Sequence, residues 1–117
     1  MYLYRGKSAR ISTARMIVWE VLTNSRFSTE SFTCREFYSA HKSELDTRIS
    51  KQAPGLPVEA VVKGALRGLS TKGLLVVHKA SGTGAMSYSR NVYTPGRHLI
   101  DLSYGEALVE AQRRRIG

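Results

Sequence analysis

Apolar positions along the chain recur with helical and then with extended spacing, and the order of these stretches predicts the elements. Ile17, Val18, Val21 and Leu22 fall on one helical stripe. Ser12 or Thr13 stands where a side-chain oxygen caps such a helix, so the pattern predicts a first helix from there to about Asn24, with Trp19 flanking the core. Residues 26 to 32 read as a short extended segment ending in Phe32. Thr33-Cys34-Arg35-Glu36 then has the capping-box spacing, in which the threonine oxygen accepts from the third helical amide and the glutamate reaches back. It predicts a second helix to about Lys42, with Phe37 and Ala40 inward and Tyr38 or His41 at the margin. The stretch SELDTRISKQA, residues 43 to 53, allows a further turn or two of helix.

Pro57 suits the first position of a third helix, where its missing N–H is no loss. Val58, Val61, Val62, Ala65, Leu66 and Leu69 make its inward face at i, i+3, i+4 spacing. Glu59, Ala60, Lys63, Gly64, Arg67, Gly68 and Thr71 are left outside, and Gly73 is placed to close the helix. Leu74 to Lys79 and Ser87 to Thr94 are β-prone runs joined by the small-residue link ASGTGAM, the pattern of a β-hairpin. Ser103-Tyr104-Gly105-Glu106 repeats the capping box ahead of a last helix, ALVEAQRRR.

Charge changes this picture from a generic small α+β domain to one with a preferred partner. The 117 residues carry a net charge of +9, distributed unevenly: +4 over residues 1 to 15, −1 over 16 to 59, +6 with no acid over 60 to 100, and zero over 101 to 117. Segregation of that kind is expected when one face meets a polyanion, and a generally basic surface is the alternative. Cys34 is the only cysteine, so the chain forms no internal disulfide. The three histidines lack zinc-ligand spacing, and no metal or cofactor is expected. Phosphate loops, nucleophile–base pairs and catalytic carboxylate pairs are missing from the sequence, so an enzyme is not expected. Without a run of 18 to 20 uncharged apolar residues, a soluble cytoplasmic protein is the expectation.

The third helix ending in LSTKGLLVVHK, followed by a glycine-tipped basic hairpin, resembles the winged helix-turn-helix superfamily of DNA-binding proteins. Its Lys72-Gly73-Leu74 junction into a strand is similar to the helix-to-wing junction of MarR-type regulators. The resemblance spans roughly residues 12 to 98. It implies an α+β winged-helix domain there, preceded by a basic N-terminal arm over 1 to 11 and followed by a C-terminal helix with a basic end over 99 to 117. The connection between the second and third helices is longer than in a tight helix-turn-helix. The last helix is too short for the long dimerisation helices of that regulator type.

The resemblance implies double-stranded DNA as partner, with the third helix in the major groove and the hairpin on an adjacent groove or the phosphates. Arg67 is then the first candidate for reading guanine, Lys63 reads a base or binds phosphate, and Glu59 either accepts from cytosine or complements the helix dipole. Ser70, Thr71, Lys72, Thr33 and Arg35 are candidate phosphate contacts. On the hairpin the candidates are Lys79, Ser81, Thr83, Ser89 and Arg90, with Arg90 also suited to a narrow minor groove. Arg5, Lys7 and Arg10 form a basic arm, read as a tail that orders on DNA, as a disordered terminus, or as a dimerisation element. Arg113 to Arg115 complement a helix end or add a weak phosphate patch. Ala60, Gly64 and Gly68, at i, i+4, i+8, form a bare ridge that either brings the helix backbone close to a duplex or admits a neighbouring helix.

Three functions remain in play at this level: a homodimeric, sequence-specific DNA-binding transcriptional regulator of bacterial, phage or plasmid type, a winged-helix protein-interaction module such as an antirepressor or assembly subunit, and an RNA-binding protein.

Overall fold

The computed structural model describes residues 2–79, 91–96 and 98–116, with side chains over 13–78, 92–96, 98 and 99–114. In order along the chain, α1 spans Tyr2–Thr23, a 3-10 turn Arg26–Ser28, β1 Phe32–Thr33, α2 Cys34–Ala40, α3 Lys42–Gln52, α4 Val58–Thr71, β2 Leu75–Lys79, β3 Asn91–Pro95 and α5 Tyr104–Ile116. The architecture is α+β. The strands form one antiparallel sheet in the order β1-β3-β2, with Phe32 opposite Tyr93 in one ladder and Val77 opposite Tyr93 in the other.

The first helix does not begin at Ser12 or Thr13. It starts at Tyr2, so residues 2 to 11 have helical backbone where a flexible arm was expected. No proline occurs before Pro54, and the only strong breaker in this stretch, Gly6, costs a helix interior about 1 kcal/mol relative to alanine. The segment 26 to 32 is likewise not extended throughout. The Ser25 Oγ accepts from the Phe27 amide at 3.1 Å and sets a 3-10 turn, leaving only Phe32 and Thr33 in the sheet.

Both capping boxes are present. Thr33 Oγ1 accepts from the Glu36 amide at 3.2 Å while the Thr33 amide donates to Glu36 Oε1 at 2.8 Å, and Ser103 and Glu106 repeat the exchange at the start of α5. The end of α4 is closed by Gly73 at φ +88°, a left-handed conformation that favours glycine. The Leu74 amide returns to the Leu69 carbonyl at 2.9 Å and the Gly73 amide to Ser70 at 3.1 Å. Leu69 and Leu74 are both fully buried beside this turn, which therefore fixes where β2 leaves the helix.

The core lies where α1 and α3 pack on α4 and where α2 and α4 cover the inner side of the sheet. Phe27, Phe32 and Phe37 form an aromatic cluster with centroids 5.4 to 6.4 Å apart, and Tyr93 joins it 6.0 Å from Phe32. Two expectations about the core need correction. Ala40 is exposed, because α2 stops at that residue and turns through His41 into α3. Trp19 does not flank the core; it is fully buried, and its Nε1 donates to the Leu102 carbonyl at 2.9 Å, tying α1 to the segment that precedes α5.

Candidate nucleic-acid interface

Helix α4 is amphipathic, and packing orients it without ambiguity. Val62, Ala65, Leu66 and Leu69 are buried, Val58 and Val61 half-buried, and Glu59, Ala60, Lys63, Gly64, Arg67, Thr71 and Lys72 exposed. At about 100° per residue Arg67 falls at the middle of the exposed arc, with Lys63 about 40° to one side and Ala60, Thr71 and Gly64 within about 60° on the other. Glu59 sits at the margin facing α2.

The bare ridge divides into two roles. A Cβ added at Gly64 meets nothing within 4 Å, so no neighbouring helix requires a glycine there. Gly68 is buried, against the expectation that it faces outward, and a Cβ there would lie 2.7 Å from the Arg15 guanidinium carbon. Gly68 therefore admits α1, whereas Ala60 and Gly64 remain on the free surface.

Helix α2 packs beside α4 and brings the second group of candidates to the same region. Arg35 is exposed in the first turn of α2. Its neighbour Cys34 is half-buried: burial pushes the thiol up to about 11, the Glu59 carboxylate adds to this, and the Lys63 ammonium opposes it. That thiol is protonated at neutral pH and is no nucleophile. The start of α2 thus lies alongside the N-terminal half of the α4 outer face.

At the other end of α4, a cleft of about 220 Å³ opens between helix and sheet, lined by Arg67, Ser70, Thr71, Val77 and Tyr93. Arg67 consequently borders both the helix face and the base of the hairpin. The hydroxyls of Ser70 and Thr71 donate to the Leu66 and Arg67 carbonyls, each at 3.0 Å. A phosphate oxygen only accepts, so either hydroxyl must break that bond to reach one. Thr33 uses its oxygen as an acceptor in the capping box and keeps its proton for an outside acceptor.

Ion pairing separates the cations into two sets. Lys42 pairs with Asp46 at 3.0 Å, Arg48 with Glu20 at 2.5 Å and with Glu44 at 3.4 Å, and Arg113 and Arg114 with Glu110. Among the described residues, Arg35, Lys63, Arg67 and Lys72 have no ion-pair partner, nor do Arg15, Arg26 and Lys51 away from this face. The acids thus neutralise Lys42, Arg48, Arg113 and Arg114 and leave the cations of the α4 face uncompensated, as they leave Lys51 at the end of α3. Outside the described residues lie Ser81, Thr83, Ser89 and Arg90, and the side chains of Lys79, Arg5, Lys7 and Arg10, so the hairpin tip and basic arm are not placed on this surface.

Sequence reasoning missed a cluster beside this face. The Tyr38 hydroxyl donates to Asp46 Oδ1 at 2.6 Å and Lys42 Nζ to Asp46 Oδ2 at 3.0 Å, clamping α2 to α3. The hydrogen bond from Tyr38, then that from Lys42, holds the Asp46 carboxyl below its ordinary value, and the same contacts raise Tyr38 and Lys42. The Lys42–Asp46 spacing is visible in the sequence as an i, i+4 pair, but the tyrosine completing it is not. Among the described residues no group of His, Cys, Asp and Glu is placed to hold a metal ion, and no helix is long and apolar enough to cross a membrane. Compared with known protein families, curated proteins and solved structures, the chain matches none.

Proposed function

We infer that the protein is a winged-helix, sequence-specific binder of double-stranded DNA that acts as a transcriptional regulator, with α4 in the major groove and the β2–β3 hairpin against the adjacent groove or backbone. The helical order and three-stranded antiparallel sheet are compatible with that fold, and Gly73 joins α4 to β2 as a recognition helix would join a wing. The observation that carries the reading is the outer face of α4: Lys63 and Arg67 stand one turn apart, exposed and without ion-pair partners among the described residues, beside a glycine no packing contact requires. A cation left unpaired on a rigid helix suits a polyanion, and a guanidinium at the centre of the face suits guanine O6 and N7. Two copies binding as a homodimer would present two such helices to successive turns of a duplex.

Selection from a random duplex pool, followed by Arg67→Ala binding to cognate and scrambled duplex, tests this. The substitution should reduce discrimination by about 10- to 100-fold, the worth of one good bidentate base contact. Lys72→Ala should weaken both duplexes alike. An unchanged specificity ratio for Arg67→Ala means that α4 does not read bases.

A further inference from the structure

Behind the outward face of α4, an open pocket of about 600 Å³ lies between α1, the end of α3, the loop carrying Pro54 and Leu56, and the flank of α4. Its volume falls within the range typical of small-molecule sites. Most of the lining is apolar: Ala14, Ile49, Leu56, Val61 and Ala65. Leu56 at its rim is 59% exposed, an unusual position for a leucine with a pocket of this size beside it. Among the described residues the only charged group in the lining is Arg15.

Arg15 is not satisfied by the protein around it. Its Nε is buried and has no hydrogen-bond partner, and among the described residues no carboxylate lies within ion-pair distance of the guanidinium. The head group is held against the backbone of Gly68, where the missing side chain leaves just enough room. A half-buried cation without a counter-ion is costly, and a buried donor without an acceptor adds to that cost. An apolar cavity with one cation in its wall has the chemistry complementary to an apolar body carrying one negative charge.

We propose that this pocket binds a small apolar monocarboxylate, its hydrocarbon body against Ile49, Leu56, Val61 and Ala65 and its carboxylate on the Arg15 guanidinium. The site does not depend on the DNA reading, because its cation, Arg15, is on α1 and neither Lys63 nor Arg67 is in its lining; it meets the outward arc of α4 at Gly64, which lines its edge. It does share α4 as a wall, so a bound ligand lies directly behind the helix that carries Lys63 and Arg67.

Calorimetric titration of the full chain at about 0.15 M salt, where surface charges are largely screened, uses three probes: 2-naphthoate, its neutral isostere 2-naphthamide, and acetate. The expected result is saturable naphthoate binding about tenfold tighter than naphthamide, as a charge-assisted hydrogen bond provides, with no binding of acetate. Arg15→Gln keeps every other positive charge and should abolish the preference for naphthoate over naphthamide. Leu56→Gln, in an exposed loop position that the fold does not use, should weaken both aromatic probes. Absence of naphthoate binding, equal binding of naphthoate and naphthamide, or a preference that survives Arg15→Gln overturns the proposal.

Discussion

Gly64 offers the sharpest separation of folding from function, because the same substitution should improve one and impair the other. Glycine inside a helix costs about 0.8–1 kcal/mol relative to alanine, mostly through the larger entropy of the unfolded chain. At Gly64 nothing offsets that cost, since an added methyl meets no atom within 4 Å. Gly64→Ala should therefore stabilise the protein by about 0.8–1 kcal/mol. With an unfolding entropy of about 2 cal/mol/K per residue over 117 residues, the midpoint of thermal unfolding rises by about 4 °C. If the bare helix backbone approaches a duplex, the same methyl should weaken cognate duplex binding by about tenfold, as small misfits at tightly docked interfaces do. Thermal unfolding by circular dichroism and duplex titration by fluorescence anisotropy read the two effects. Gly68→Ala is the internal control: its methyl must displace the Arg15 head group, so it should gain less than Gly64→Ala and recover the difference only when combined with Arg15→Ala. A Gly64→Ala protein that is more stable and binds cognate duplex unchanged would refute the close approach. One that is no more stable would refute the claim that the position is structurally idle.

Cys34, with its thiol pushed up to about 11 from an ordinary 9.0, should react with iodoacetamide at pH 8 about a hundredfold more slowly than an unperturbed thiol; a rate near that of free cysteine contradicts its burial against α4. Trp19→Phe removes the donor to the Leu102 carbonyl and should cost about 2 kcal/mol in urea unfolding, with an unchanged m-value; a loss below about 0.5 kcal/mol would mean that the contact does not hold α1 to the chain before α5. Asp46 is held below its ordinary value of 3.8 by Tyr38 and Lys42, so its stabilising contribution is fully present above that value and is lost as pH falls through the lower folded value. Stability followed from about pH 5 to 2 should therefore fall less steeply in Asp46→Asn than in the parent, and identical slopes would show that the clamp between α2 and α3 contributes nothing.

Local signals are legible where a residue's chemistry constrains its immediate neighbours, although Pro57, expected at the first position of α4, has extended backbone and precedes a helix that starts at Val58. Thr33 with Glu36, Ser103 with Glu106, and Gly73 after Leu69 each specify a helix end through bonds that span only a few residues, and all three are made as the spacing predicts. The apolar period of α4 likewise placed its valines and leucines correctly, since a large apolar side chain has one favourable side. Errors arose where a residue carries little side-chain information. Ala40 fits a core position or a surface one, and only the turn at His41 decides between them. Ser12 and Thr13 suit a cap or a helix interior, and the backbone continues through both.

Gly64 and Gly68 show why the candidate site was only half legible. In the sequence they are equivalent, one turn apart on the same helix beside the same cations. What distinguishes them is Arg15, a residue on another helix with no local signal linking it to either glycine. Once α1 crosses α4 at Gly68, the guanidinium occupies the space a side chain would need, and the ridge that remains for a partner shortens to Ala60 and Gly64. The crossing also moves a cation from the basic surface implied by composition into the wall of an apolar pocket. Net charge alone therefore overstates the polyanion-facing surface: Arg15 counts toward it in the sequence and leaves it in the fold, while Lys63 and Arg67, fixed by the α4 period, remain on it.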